Sequence, residues 1–140
     1  SISMKLYENI KFVLIAPDEL KMPEYVTKGI IEKNKIEYVE TNDLESSIPM
    51  LDILYMTRIQ KERFSDINVY EKLKDVYILD KEKLKNAKSD LSIMHPLPRV
   101  NEISTDVDSD PRACYFRQAE NGRYMRMAII LKLLKENGSL

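Results

Sequence analysis

Leu91-Ser92-Ile93-Met94-His95-Pro96-Leu97-Pro98-Arg99-Val100-Asn101-Glu102 joins a short apolar run to a loop with two prolines one residue apart. The run reads as a buried strand. The prolines fix φ twice and push His95 and Leu97 out of the helical region. The loop is therefore expected to be stiff and extended. It lacks N–H donors at Pro96 and Pro98 and leaves its carbonyls free. Stiff loops at the carboxyl ends of strands are where α/β sheets place ligand contacts.

Working outward, apolar runs alternate with helical spacing. Residues 10–16 are β-rich and end at Pro17, and they read as a strand buried on both faces. Tyr25, Val26, Ile30 and Ile31 are spaced as one helix face over residues 24–33, with Gly29 weakening it. Residues 36–40 alternate like a strand with one wet face, and Asn42 or Asp43 caps a short helix or turn over 43–47. Residues 50–56 form the next strand, and 64–75 carry one helix side through Tyr70 and Leu73. Residues 76–79 fit either a strand or the end of that element. Asp80 is a plausible N-cap for a helix over 81–87. Asp106, Asp108 and Asp110 alternate in a run read as a solvated turn with helix caps; a calcium loop would need a glycine and a glutamate that are not in place. Residues 113–137 close the chain in a helical pattern, with a break at Gly122 and a stop at Gly138. The alternation indicates an α/β fold around a mainly parallel sheet.

The bulk composition narrows the function classes. A length of 140 residues suits one domain, and 44% hydrophobic residues can fill a core. A net charge of -1 argues against a general nucleic-acid binder, and no apolar run is long enough to span a bilayer. Cys114 is the single cysteine, so no intrachain disulfide forms, and no zinc-spaced Cys/His set exists. Only three glycines occur, which rules out a Rossmann dinucleotide fingerprint and a Walker loop. A soluble, cytoplasmic protein is expected. Ser1 rather than Met opens the chain, with no signal-peptide pattern, and the chain reads as a processed or excised piece.

Two loops stand out, Thr57-Arg58-Ile59-Gln60-Lys61-Glu62-Arg63 and the one from His95 to Glu102, each after an apolar strand. In a parallel sheet both ends lie on one edge and could share a cleft. Arg58 can clamp a carboxylate bidentately, Gln60 can add an amide contact, and Glu62 can orient a guanidinium from behind. Lys61 reads as an exposed first helical turn. His95, with no second histidine, cysteine or clear carboxylate partner, reads as structural. Arg99 can pair with Glu102 or another nearby carboxylate. Cys114 reads as a core filler, and Tyr124, Met125 and Met127 as helix packing.

Together these runs resemble a known family. Met94 to Ile103, followed by Thr105-Asp106-Val107-Asp108, is similar to the C-terminal half of the aspartate carbamoyltransferase catalytic chain. So are Asp52-Ile53-Leu54-Tyr55-Met56 with the Thr57–Arg63 run, and Tyr115-Phe116-Arg117-Gln118-Ala119-Glu120-Asn121-Gly122. The ornithine branch differs at both loops. The resemblance implies a Rossmann-like three-layer α/β domain with a mainly parallel sheet lacking its first strand, and a long C-terminal helix. It implies a partial aspartate-binding domain over 1–122, with the helix of 123–140 packing on an absent carbamoyl-phosphate domain and its apolar face exposed here. It implies transfer of a carbamoyl group from carbamoyl phosphate to L-aspartate in pyrimidine synthesis, without metal or organic cofactor. Arg58, Gln60, Pro96 and Leu97 would then contact substrate, the last through its carbonyl. Thr57, Glu62, Arg63, Pro98 and Arg99 would support them. The family forms homotrimers, with or without regulatory chains. Asn101 replaces an expected aspartate, no complete catalytic set is present, and the chain alone is expected to be inactive. The rival reading is a non-catalytic binding or assembly module that pairs with a separate carbamoyl-phosphate domain or a regulatory chain.

Overall fold

The computed structural model describes residues 8–59, 67–73 and 75–138. The chain divides into two compact units, Ser1–Ser47 and Ile48–Leu140.

In the first unit, β1 (Lys11–Ile15) pairs in parallel with β2 (Glu37–Thr41), Lys11 opposite Glu37 and Ile15 opposite Thr41. The connection is a helical segment in three windings. It begins as α1 (Glu24–Val26), widens to a π-helical turn at Thr27–Ile31 and tightens to a 3-10 turn at Glu32–Asn34. The expected helix exists, but its winding changes around Gly29, where helix propensity is weakest. Lys35, at φ 54°, ends it in the left-handed region. Thr27 and Ile31 are buried. β1 itself is only half-buried, so the expectation of a strand covered on both faces is not met. α2 (Leu44–Ser47) begins where expected, and its cap is Asp43, whose Oδ1 accepts the Ser46 N–H at 3.0 Å.

In the second unit, β3 (Ile53–Tyr55) runs parallel to β4 (Ser92–Met94), with Leu54 opposite Ile93. The Met56 N–H donates to the Met94 carbonyl at 2.9 Å, which extends the pairing past both strand ends. On its other side Ile93 bridges Ala113 in parallel. β4 is thus paired on both edges, and Ile93 is fully buried with Leu91 and Leu54 beside it in the core. Burying one such side chain contributes about 1.5–3 kcal/mol. The strands of the described residues form two parallel pairs. Of the ambiguous stretch 76–79, only Leu79 joins a ladder, bridging Ile103. α3 (Ile67–Leu73) lies within the helical stretch expected there. The helix expected after Asp80 is a 3-10 turn, Lys83–Asn86, with Glu82 rather than Asp80 at its N-cap, although Asp80 Oδ1 accepts the Lys83 N–H at 2.9 Å.

The acidic run over 104–111 does more than cap turns. Arg112 grips Asp110 through Nε at 2.9 Å and Nη2 at 2.7 Å. Its Nη1 also donates to the carbonyls of Leu84 and Lys88, at 3.2 and 3.3 Å. Asp106 and Asp108 are exposed on a turn, as expected, but Asp108 also pairs with Arg99. Alternation of charge hides which carboxylates face a half-buried cation.

The closing helix α4 (Tyr115–Glu136) is continuous through Gly122, where a break was expected. One glycine inside 22 helical residues weakens a helix without ending it. Gly138, at φ 67°, is the stop. Tyr115 is buried, whereas Tyr124, Met125, Met127, Ile129, Ile130, Leu131 and Leu133 are more than half or about half exposed. Among the described residues, no helix is long and apolar enough to cross a membrane.

Candidate functional site

β3 and β4 are neighbours and parallel, so the segments that leave them start from the same edge of one sheet. Thr57 and Arg58 leave β3 and are exposed. Gln60, Lys61, Glu62 and Arg63 lie outside the described residues. His95 to Glu102 leaves β4. The sheet therefore brings Arg58 and the double-proline loop to one edge.

The loop is folded back on itself, contrary to the expectation of an extended strap. Leu97 sits at φ 42°, and the Leu97–Pro98 peptide is cis. The Leu97 N–H turns inward and donates to His95 Nδ1 at 2.9 Å. A local side-chain acceptor has displaced the extended conformation that the prolines alone favour. Pro96 and Pro98 stay exposed and Leu97 is half-buried. Among the described residues, nothing donates to the Leu97 carbonyl.

His95 has a carboxylate partner after all. Its Nε2 lies 2.7 Å from Glu102 Oε1, and both residues are buried. Glu102 Oε2 accepts the N–H groups of Val100 and Asn101 at 3.0 and 3.1 Å. Burial pushes this carboxyl up, but the backbone donors and His95 outweigh burial, and the group stays below its ordinary range. The partner escaped the sequence reading because it lies seven residues on, across a loop taken as extended. A buried histidine that follows a strand and precedes a chain reversal was the available signal.

Arg99 takes Asp108, not Glu102. Its two Nη atoms meet the two carboxylate oxygens, and the Tyr115 hydroxyl donates to Asp108 Oδ1 at 2.5 Å. The Arg99 guanidinium, then the Tyr115 hydroxyl, hold Asp108 down at about 2. Burial, reinforced by the Asp108 charge, pushes Tyr115 up to about 12. Arg99 is raised by its bond to Asp108. Arg99 is thus a brace for the far limb of the loop.

Gln118, in the second turn of α4, ties the two strand ends together. Its Oε1 accepts the His95 N–H at 2.9 Å, and its Nε2 donates to the Tyr55 hydroxyl at 3.1 Å. Sequence spacing gave no sign of this role, because the contacts cross 23 and 63 residues. Among the described residues, no group of three or more His, Cys, Asp or Glu could hold a metal ion. Among the described residues, this edge includes a guanidinium of the kind that binds a carboxylate and a carbonyl of the kind that takes an N–H donor.

Residues 2–133 match the family model described as aspartate/ornithine carbamoyltransferase, Asp/Orn binding domain. The aspartate carbamoyltransferase catalytic subunit of Clostridium acetobutylicum is 59% identical over 132 residues, covering 94% of this chain and 43% of the relative. The solved catalytic subunit of M. jannaschii aspartate transcarbamoylase superposes with a TM-score of 0.84 at 40% identity, over 99% of this chain and 44% of that one. Aspartate transcarbamoylase from Trypanosoma cruzi, solved with aspartate and phosphate, gives a TM-score of 0.72 at 40% identity, over 86% of this chain and 37% of that one. The chain spans less than half the length of these relatives. With a parallel α/β architecture, a long closing helix and a family match over nearly its whole length, the chain belongs to the aspartate/ornithine carbamoyltransferase family and constitutes its Asp/Orn binding domain.

Proposed function

We propose that this chain is the L-aspartate-binding part of an aspartate carbamoyltransferase. The observation that carries the reading is the placement of Arg58 and the Leu97 loop at the carboxyl edge of two paired parallel strands. Arg58 and Gln60 hold the aspartate carboxylates, with Thr57, Glu62 and Arg63 supporting them. Pro96 and Leu97 line the other side, and the Leu97 carbonyl accepts from an N–H of the substrates. Pro98 and Arg99 keep that loop in place. Carbamoyl phosphate binds to residues outside this chain. As the aspartate nitrogen bonds to the carbamoyl carbon, the bond from that carbon to the phosphate oxygen breaks and the nitrogen gives up a proton. The protein's part is to align two anions and to stabilise the developing oxyanion. The exposed apolar residues of α4 within 123–140 pack on the domain that holds carbamoyl phosphate. The complete enzyme is a cytoplasmic homotrimer, with or without regulatory chains.

Calorimetric titration of L-aspartate into the chain, with and without Arg58→Ala, tests the clamp. Affinity should fall by about 10-fold or more, the scale of a lost charge-assisted bond. Equal affinities would remove Arg58 from the site.

A further inference from the structure

We propose that Glu102 is a positioning residue that sets the tautomer of His95, and that His95 in turn sets the Leu97 peptide. This rests on the reading of Leu97 as a substrate contact. The argument is one of hydrogen-bond polarity. A carboxylate only accepts. Glu102 Oε2 is already taken by the Val100 and Asn101 N–H groups, at 3.0 and 3.1 Å. Oε1 faces His95 Nε2 at 2.7 Å, so Nε2 carries the proton. Nδ1 is then left with a lone pair, and it accepts the Leu97 N–H at 2.9 Å. In the opposite tautomer two donors would meet at that point. The direction of every bond from residue 97 back to residue 102 thus follows from the single negative group.

The geometry makes this relay consequential. Leu97 holds φ at 42°, a region that side chains rarely adopt. Its N–H bond to Nδ1 is made in that conformation. With the N–H turned inward, and Pro98 lacking one, the Leu97 carbonyl is left for substrate. His95 cannot swing to compensate, because its own N–H is held by Gln118 Oε1 at 2.9 Å and its ring is 1% exposed with its residue.

Glu102→Gln is the incisive change. The amide has one acceptor oxygen and one donor group. Either it abandons Val100 and Asn101, or it offers N–H to His95 and reverses the tautomer. Only the second route releases Leu97; the first leaves the Val100 and Asn101 N–H groups without their acceptor instead. His95 is the only histidine, so nitrogen NMR of the full chain reads its tautomer without assignment. The unsubstituted chain should carry the proton on Nε2, and a proton on Nδ1 would overturn the relay. Glu102→Gln should reverse or mix the tautomer and speed Leu97 amide exchange about tenfold, the scale of one lost hydrogen bond. An unaltered tautomer with unaltered exchange at Leu97, Val100 and Asn101 would also overturn it. His95→Asn keeps an acceptor near the Nδ1 position but does not reach Glu102. In that background Glu102→Gln should leave Leu97 exchange unchanged, and an equal effect in both backgrounds would refute the relay. If Glu102→Gln does not fold, the tautomer of the unsubstituted chain decides. L-aspartate titration of the same variants separates the two ideas. Absence of binding by the unsubstituted chain defeats the functional reading, while the NMR still judges the relay. Binding that survives a reversed tautomer defeats the substrate role of the relay alone.

Discussion

Asp108 is held by two donors of different kinds, one charged and one neutral, and both partners are anchored in the fold. The pH signature follows from the signs. Asp108 is depressed to about 2 in the folded chain, against about 3.9 when unfolded. Its contribution is present above about pH 4 and is lost as pH falls toward about 2. Tyr115 is raised to about 12 from about 10, so its contribution is present below pH 10 and is lost as pH climbs to about 12. Asp108→Asn should therefore flatten the acid limb of the stability curve measured by urea unfolding. At neutral pH it should cost roughly 1–3 kcal/mol, because Arg99 loses its counter-charge. It should also move the Tyr115 titration seen by ultraviolet absorbance downward toward its ordinary value, since the Asp108 charge contributes to its rise. An acid limb like that of the unsubstituted chain would count against the brace.

At the scale of elements, α4 has room for improvement at one point. A Cβ added at Gly122 would meet only the far end of Arg126, at 3.7 Å. Gly122→Ala should therefore raise stability by up to about 1 kcal/mol in chemical denaturation, with more helical signal in circular dichroism. A loss of stability would show that the position is not an unstrained helical site. The same element shows what pattern can and cannot reveal. Helical spacing from Tyr124 to Leu134 was legible, and the exposure of its apolar residues was expected from the resemblance, not from spacing. Strands were legible as apolar runs, because a strand paired on both edges must be apolar to sit in a core. β4 satisfies this, while β1 carries the same pattern and is only half-buried. The loop after β4 was recognised as stiff from its prolines. Its shape depends on where N–H groups find acceptors, and Glu102 and Gln118 supply these from positions that no local period marks. Of the candidate site, Arg58 and Leu97 were legible from their places after apolar strands, and the hydrogen-bonding roles of Glu102 and Gln118 were not.

For the molecule as a whole, two compact units and one long helix form a chain that matches less than half of its relatives' length. With L-aspartate and carbamoyl phosphate supplied together, the chain alone should yield no N-carbamoyl-L-aspartate above the uncatalysed background in a colorimetric assay. Measurable turnover would mean that the phosphate-bearing substrate finds a site within these 140 residues. The Arg112 guanidinium carries a different message. It closes the carboxyl end of the 3-10 turn at Lys83–Asn86 from a position more than 20 residues away. The Leu84 and Lys88 carbonyls also accept the local Ala87 and Leu91 N–H groups, at 3.2 and 3.3 Å, so Arg112 is a second donor to each. Arg112 therefore ties the end of the turn to the segment that follows β4. This means that fraying of one segment strips the other, so the region should open as a single cooperative unit in hydrogen exchange.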